Sequence, residues 1–269
     1  MKIDSNGVRI HVRELGFDDG GDTPAIVFLH YWGGSSRTWH DVIAALPNVY
    51  RTVAPDHRGW GDSDKPAAGY ALADLADDAQ RVIEALALRR FVLVGHSMGG
   101  KVAQLLAAHR PQGLAGLVLV APSPPVPLQL PAEALAQMES AYASPASVEA
   151  SIDGMLCAKS LSPAHRRQVI EDSLRGAPEA KAAWPRSTSR EDITREVASI
   201  DVPTTIIAGE LDRVDSVAVL QREVLGRIPH AVMHVLPGVG HLSPLEAPVE
   251  VAERIHDFVQ HLARVEHDA

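Results

Sequence analysis

The feature that most constrains the fold is a glycine-flanked serine between an apolar run and a helix-like run. The four residues before the serine motif, 91–94, are Phe-Val-Leu-Val, and residues 98–110 carry apolar side chains at helical spacing. A strand that turns sharply into a helix holds such a serine in a strained, exposed position, and glycines two residues away on each side let the two elements pass closely. The motif, which matches G-x-S-x-G, is Gly95-His96-Ser97-Met98-Gly99.

Short aliphatic runs alternate with amphipathic runs along most of the chain. Apolar runs typical of buried strands occupy residues 25–30, 51–56, 91–95, 116–121, 203–209 and 231–237. Helical spacing of apolar residues occurs at 37–46, 73–88, 98–110, 216–226 and 247–264. This order is typical of an α/β protein whose helices cover both faces of a mostly parallel sheet. An antiparallel hairpin at 2–4 and 8–14, turning at Asn6-Gly7, is expected to precede the parallel strands.

The segment 123–200 interrupts this alternation. It has no convincing strand, but helix-like stretches occur at 132–142, 146–160 and 163–175. Five prolines between Pro122 and Pro131 restrict the backbone at its entrance. We therefore expect residues 1–122 and 201–269 to form one core domain and residues 123–200 to form a helical cap inserted into it.

Charge and composition exclude several classes of partner. The formal net charge of −9 disfavours binding to nucleic acid or to an anionic membrane surface. The N-terminus lacks the apolar core of a signal peptide, and no stretch approaches the roughly 18 apolar residues of a membrane span. No cofactor motif or histidine cluster with metal-ligand spacing is present, so we expect neither a cofactor nor a metal. These features favour a cytoplasmic protein and leave its oligomeric state open.

Ser97 needs a base to take its proton and an acid to orient that base. Asp212 follows the apolar run 203–209, and His241 follows the last one, 231–237. The chain order of serine, aspartate and histidine and their placement at strand ends both fit a catalytic triad. Glu210 and Asp215 flank Asp212 and are the alternative acids.

Five motifs together resemble the α/β-hydrolase superfamily from residue 26 to about residue 262. Three of them are the serine motif, the loop that carries Asp212 (the acid loop), and the loop that carries His241 (the histidine loop) with Glu246-Ala247-Pro248 after it. The other two are His30-Tyr31-Trp32-Gly33-Gly34 and Asp56-His57-Arg58-Gly59-Trp60-Gly61-Asp62-Ser63.

The resemblance implies the α/β-hydrolase fold, with a mostly parallel eight-stranded sheet and an inserted helical cap. It favours Asp212 as the acid, since Asp212 matches the family's Gly-x-x-Asp pattern. It also implies an oxyanion hole made by the backbone N–H of Met98 and that of Tyr31 or Trp32, where Tyr31 replaces the family's glycine.

A serine nucleophile argues against the aspartate-based chemistry of haloalkane dehalogenases and epoxide hydrolases. It predicts an acyl-enzyme and the hydrolysis of a carboxylic ester or lactone. Apolar residues in the cap favour a small, mainly hydrophobic substrate, with Tyr31, Trp32, Tyr142 and Trp184 as candidate binding residues. Three alternatives stay open: a carbon–carbon bond hydrolase, a cofactor-free perhydrolase that uses peroxide in place of water, and a ligand receptor of this fold with slow turnover.

Other polar residues near these motifs are interpreted as structural. His30 and His96 are expected to orient loops by hydrogen bonds, because one base suffices for the chemistry. Asp56, Arg58 and Asp62 are expected to form one network that fixes their loop.

Overall fold

An eight-stranded sheet forms the centre of the protein in a computed structural model that describes residues 1–16 and 23–267, with side chains as far as residue 264. The spatial order is β1-β2-β4-β3-β5-β6-β7-β8, in which β3 to β8 are parallel and β1 and β2 run antiparallel at one edge. The strands are β1 Lys2–Ser5, β2 Val8–Leu15, β3 Ala25–Leu29, β4 Thr52–Pro55, β5 Phe91–His96, β6 Leu114–Val120, β7 Thr204–Gly209 and β8 Val232–Leu236.

The opening hairpin forms where the sequence predicts it. Ser5 pairs with Val8 across the turn, and Asn6 and Gly7 adopt φ values of 51° and 85°. Positive φ at both central residues is what a two-residue hairpin turn requires, and Asn-Gly adopts it readily.

Both faces of the central strands are buried. Along β3, Val27 and Leu29 join one hydrophobic cluster, whereas Ile26 and Phe28 join the other. Because successive side chains of a strand point to opposite faces, this division shows two cores, one on each side of the sheet. The near-continuous apolar character of these strands follows from burial on both faces.

Helices cover the two cores as the spacing of their apolar residues predicts. Buried residues of α2 and α3 belong to the first core, and those of α1 and α10 to the second. No helix in the described ranges is long and apolar enough to cross a membrane. The helices of the sheet layers are α1 His40–Ala45, α2 Leu72–Ala85, α3 Met98–Ala108, α8 Val217–Leu220, α9 Ser243–Glu246 and α10 Pro248–His267.

Helices also fill the segment between β6 and β7, and no described residue from 121 to 203 lies in a strand. They are α4 Ala132–Ser140, α5 Pro145–Ser151, α6 Pro163–Arg175 and α7 Pro178–Arg186. We refer to residues 123–200 as the cap; its boundaries as a domain stay a prediction.

Three helical segments differ from the sequence prediction. The stretch 146–160 is not one helix, because α5 ends at Ser151, a π turn spans Ile152–Leu156, and Cys157 is extended. A π turn likewise replaces the second half of 216–226. The sequence analysis missed α7, although Pro178 at its first turn is a favourable start for a helix.

Candidate active site

The turn between β5 and α3 places Ser97 in a strained backbone conformation. Ser97 has φ 53° and ψ −115°, a combination that L residues rarely adopt. A side chain at Gly99 would meet the carbonyl oxygens of Leu29 and His30, and one at Gly95 would meet the backbone of α3. The flanking glycines are therefore required by the close passage of strand and helix, as the motif predicts.

The structure brings Ser97, His241 and Asp212 together. His241 Nε2 lies 2.8 Å from Ser97 Oγ, and His241 Nδ1 lies 2.8 Å from Asp212 Oδ2. The other carboxylate oxygen of Asp212 accepts hydrogen bonds from the N–H groups of Val214 and Asp215, at 2.7 and 3.0 Å. All three side chains are buried, so a fixed aspartate orients the imidazole and leaves Nε2 facing the serine.

Electrostatics favour the charge pattern that a triad needs. Burial alone would lower the pKa of His241, but the charge of Asp212 and its hydrogen bond leave this pKa above 6.5. Burial would likewise raise the pKa of Asp212, yet the imidazolium and the hydrogen bonds keep it below 3.8. An ionised Asp212 therefore stabilises the protonated form of His241.

The two alternative acids lie elsewhere. Glu210 accepts a hydrogen bond from the N–H of Gly238 at 2.8 Å, which fixes a turn beside the histidine loop. Asp215 is buried close to His241, but its carboxyl makes no hydrogen bond to the described part of the chain. Burial, together with the charge of Asp212, raises the pKa of Asp215 to about 7 despite the opposing charge of His241. Asp212 is therefore the carboxylate that holds His241.

His30 fixes the peptide between Tyr31 and Trp32. Its Nε2 accepts the backbone N–H of His57 at 2.9 Å, so its Nδ1 carries the proton and donates to the Tyr31 carbonyl at 2.8 Å. The N–H of Gly34 donates to the same carbonyl at 3.0 Å. Because the C=O and N–H of a trans peptide point in opposite directions, these bonds also fix the direction of the Trp32 N–H. Among the described residues, neither this N–H nor that of Met98 has an acceptor.

His96 orients the histidine loop. Its Nε2 donates to the backbone carbonyl of His241 at 2.8 Å, and burial lowers the pKa of His96 to about 3, so the ring stays neutral. Both His30 and His96 thus act through hydrogen bonds to loops, as expected from the sequence.

The predicted single network of Asp56, Arg58 and Asp62 is wrong. Asp56 does accept the N–H of Asp62 at 2.9 Å, but Arg58 pairs with Asp78 of α2 instead. Arg58 pairs there because a buried carboxylate on α2 lies within hydrogen-bond distance of its guanidinium.

One group in the described ranges has the composition of a metal site. Ligand atoms of His11, Asp56 and Asp62 lie within 4.8 Å of one another. His11 already bonds Asp56 at 2.8 Å, and Asp62 pairs with Arg175. These contacts explain the cluster as an internal hydrogen-bond network.

A cleft under the cap begins beside the serine. It is open to solvent on one side and is lined by Met98 at the start of α3, by Trp184 and two alanines of α7, and by Trp60, Tyr70, Leu75 and Thr188. Trp184 is the predicted substrate-binding residue that lines it.

The other three candidate binding residues pack elsewhere. Tyr31, Trp32 and Tyr142 are buried next to the cleft rather than in its lining. The ring of Tyr31 lies 5.2 Å from that of His96, and the ring of Tyr142 lies 4.2 Å from that of Trp32.

Two charged residues tie the cap to this site: Lys101, which the sequence prediction does not include, and Glu246, which it includes only as part of the motif after the histidine loop. Lys101 on α3 is fully buried, and its Nζ donates to the carbonyls of Val126 and Ser189, where the chain enters and leaves the cap. Glu246 accepts the N–H groups of Ala158 and Gly240 and so links the cap to the histidine loop. A lysine four residues after Ser97 on an otherwise apolar helix was the available signal for the first.

Known proteins that resemble this chain share its fold and have several different activities. The esterase of Exiguobacterium antarcticum superposes with a TM-score of 0.88 at 23% identity, over 96% of this chain and 98% of that one. Est816, described as an N-acyl homoserine lactone degrading enzyme, superposes with a TM-score of 0.83 at 30% identity, over 96% of this chain and 100% of that one. The non-heme haloperoxidase of Rhodococcus erythropolis is 30% identical over 245 residues, or 85% of this chain and 89% of that protein.

Other relatives match only in part. Uncharacterized proteins of Mycobacterium tuberculosis and Mycobacterium bovis are 39% identical over 111 residues, which is 41% of this chain and 33% of their own length.

A family model described as alpha/beta hydrolase matches residues 26–254. Since that match covers most of the chain, including strands β4 to β8, the serine turn and the histidine loop, the chain belongs to the alpha/beta hydrolase family.

Proposed function

We propose that this protein is a serine hydrolase that cleaves a carboxylic ester or lactone of a small, mainly hydrophobic substrate through an acyl-enzyme. One observation carries the proposal: His241 bridges Ser97 Oγ and Asp212 Oδ2 at 2.8 Å each. This spacing lets one imidazole take the serine proton while a fixed carboxylate stabilises the resulting imidazolium.

In the acylation half-reaction, Ser97 Oγ attacks the substrate carbonyl carbon and its proton passes to His241 Nε2. The carbonyl oxygen becomes an oxyanion, for which we assign the N–H groups of Trp32 and Met98 as donors. The fixed direction of the Trp32 N–H supports this choice, because donors that need no reorientation stabilise the transition state best. His241 then gives its proton to the leaving oxygen as the carbon–oxygen bond breaks.

In the deacylation half-reaction, water attacks the acyl carbon and loses a proton to His241 Nε2. The second tetrahedral intermediate collapses with cleavage of the bond to Ser97 Oγ, which takes the proton back. The carboxylic acid leaves and the free enzyme is restored.

The lining of the cleft favours an apolar acyl group. Its walls are mainly aromatic and aliphatic. The esterase and lactone-degrading relatives support an ester or lactone as the substrate class.

The haloperoxidase relative favours a second candidate, perhydrolysis. Here hydrogen peroxide replaces water in deacylation: its oxygen bonds the acyl carbon, the bond to Ser97 breaks, and a peracid leaves. The same triad serves both reactions, and the 30% identity over 85% of this chain is the specific observation in favour.

An ester panel tests the proposal. Wild-type and Ser97→Ala proteins are assayed with p-nitrophenyl esters of increasing acyl length, with lactones and with diketones, each with and without hydrogen peroxide. We expect hydrolysis of short esters or lactones by the wild type, and loss by about 10⁴-fold or more in Ser97→Ala, whose fold is checked by circular dichroism.

Each outcome separates the candidates. Activity of Ser97→Ala close to wild type contradicts the proposal, and cleavage of diketones alone replaces it with carbon–carbon bond hydrolysis. Peracid formation at the expense of acid favours the second candidate. Single-turnover behaviour with every ester would instead indicate a receptor.

A further inference from the structure

The cap contacts the loop that follows β3 directly at its backbone. The hydroxyl of Tyr142, which follows α4, donates to the carbonyl oxygen of Trp32 at 2.8 Å, and this bond is buried. The two rings pack with their centroids 4.2 Å apart. The hydroxyl of Tyr142 is therefore committed to the residue that we assign as an oxyanion donor.

The end of α6 holds the next residues of the same loop. Ser173 Oγ donates to the carbonyl oxygen of Gly33 at 3.1 Å in a buried bond. Ser35 Oγ donates to Asp172 Oδ2 at 2.8 Å, and Arg37 pairs with Asp172 at 3.2 Å. Residues 32–37 thus bind the cap at four positions, two of them backbone carbonyls.

Gly33 is shaped by this contact. Its φ is +96°, and a Cβ there would overlap the ring of Tyr142. The glycine serves both the backbone conformation and the approach of the cap side chain. The loop is therefore built to receive Tyr142 at this point.

We propose that Tyr142 and Ser173 are positioning residues for the oxyanion hole, because they hold the two peptides after Trp32 and so keep its donor N–H in the alignment that His30 and Gly34 set from the other side. The inference rests on the proposed function. His30 and Gly34 hold the peptide on one side of Trp32, and the two cap hydroxyls hold the peptides on the other. Removal of these two hydroxyls should therefore weaken transition-state stabilisation while the hydrogen bonds among Ser97, His241 and Asp212 stay in place.

The test compares Tyr142→Phe, Ser173→Ala and the double variant with wild type. Tyr142→Phe keeps the ring contact and removes only the bond to Trp32. A matched control is Tyr50→Phe, which removes a phenol hydrogen bond to His256 at 2.7 Å in the second core, away from the cap. The readouts are kcat, KM, the melting temperature and the rate of Ser97 phosphonylation by a fluorophosphonate, whose P=O oxygen occupies the oxyanion position.

We expect kcat to fall about tenfold in Tyr142→Phe with KM within about twofold, since loss of an oxyanion donor outright costs about 10² to 10³ in kcat. Phosphonylation should slow by the same factor. Tyr50→Phe should lower the melting temperature about as much as Tyr142→Phe does, but it should slow neither ester hydrolysis nor phosphonylation.

Two results overturn the inference. Unchanged kcat and phosphonylation in both variants would make the contacts merely structural, and a raised KM at unchanged kcat would make Tyr142 a substrate-binding residue. If Tyr142→Phe does not fold, Ser173→Ala alone decides between these outcomes. Failure of the proposed function has a different signature, because the wild type itself would then hydrolyse no ester or lactone of the panel, whether or not Ser97 reacts with the fluorophosphonate.

Discussion

Two buried carboxylates lie near His241, and their hydrogen bonds divide their roles. Asp212 bonds the imidazole and accepts two backbone N–H groups, which lowers its pKa against the effect of burial. Asp215 donates its own N–H to Asp212, and burial raises its pKa to about 7. The first therefore holds a charge beside His241 at neutral pH, whereas burial disfavours a charge on the second.

The two aspartates should respond differently to the same change. Asp212→Asn should lower kcat by about 10⁴-fold, because an amide supports the wrong imidazole tautomer. Asp215→Asn keeps the shape of a side chain that bonds neither Ser97 nor His241, and we expect less than about a tenfold loss. Steady-state kinetics with one short ester measure both, and a larger loss in Asp215→Asn would mean that the acid is misassigned.

The pH dependence follows from His241. Only the neutral imidazole can take the serine proton, and the Asp212 charge raises the pKa of His241 above 6.5 against the effect of burial. Consequently kcat/KM should be low at acid pH and rise as pH increases through this raised pKa. A profile measured from pH 5 to 9 tests this, and full activity at pH 5 would contradict it.

At the scale of elements, the β5–Ser97–α3 unit is the part of the site that the sequence determines most completely. A side chain at either of the glycines that flank Ser97 would overlap the atoms packed against that glycine. The loop after β3 lies against this unit, since the Leu29 and His30 carbonyls border Gly99. A change at the turn is therefore transmitted to the loop after β3.

Gly99→Ala should show this transmission. The new methyl would force the Leu29 and His30 carbonyls aside, and overpacking of this kind costs about 1–3 kcal/mol of unfolding free energy. Kinetic assays should show slower ester hydrolysis, and urea unfolding should show a lower free energy of unfolding. Gly154→Ala is the control, because nothing lies within 4 Å of its added Cβ; equal effects of both changes would refute the steric argument.

How far the sequence predicts these elements depends on how local the determinant is. The hairpin follows from Asn6-Gly7, and Ser97, Asp212 and His241 follow from strand ends and chain order. The π turn after α5 is held by a segment far away in sequence, since Leu156 accepts the N–H of Leu242. Helix α7, by contrast, carries a local signal in Pro178 that the sequence prediction did not use. The contacts of Tyr142 with Trp32 and of Lys101 with Ser189 span 110 and 88 residues, so no local pattern indicates them.

At the scale of the whole molecule, a few buried polar groups connect segments that the sheet does not. Asp56, just after β4, accepts the N–H of Ser36 at 2.6 Å and bonds His11 of the hairpin at 2.8 Å. Lys101 and Glu246 connect the cap to α3 and to the histidine loop in the same way. These contacts fix the hairpin, the loop after β3 and the cap relative to the sheet.

Asp56 should make stability pH-dependent. Burial opposes ionisation, but the hydrogen bonds from His11 and from the N–H groups of Asp62 and Ser36 leave the folded-state pKa of Asp56 below its ordinary value. A depressed pKa contributes stability above pH ~4 that is lost as pH falls towards the folded-state value. Asp56→Asn should therefore lower the free energy of unfolding by about 2 kcal/mol at pH 7 and by less near pH 3.

Urea unfolding at the two pH values measures this difference. Asp62→Asn is the matched control, because that half-exposed carboxylate pairs with Arg175 at the surface, where an ion pair contributes about 0–1 kcal/mol. A loss in Asp56→Asn that is the same at pH 3 and pH 7 would contradict the assignment of an ionised Asp56.

The acyl-enzyme is the central claim, and its direct detection tests it. Wild-type protein mixed with p-nitrophenyl acetate and quenched in acid within milliseconds to seconds should gain the mass of one acetyl group, located by peptide mapping on Ser97. Ser97→Ala should gain none. An acetyl group on another residue, or turnover of the ester with no adduct in the wild type, would contradict the account.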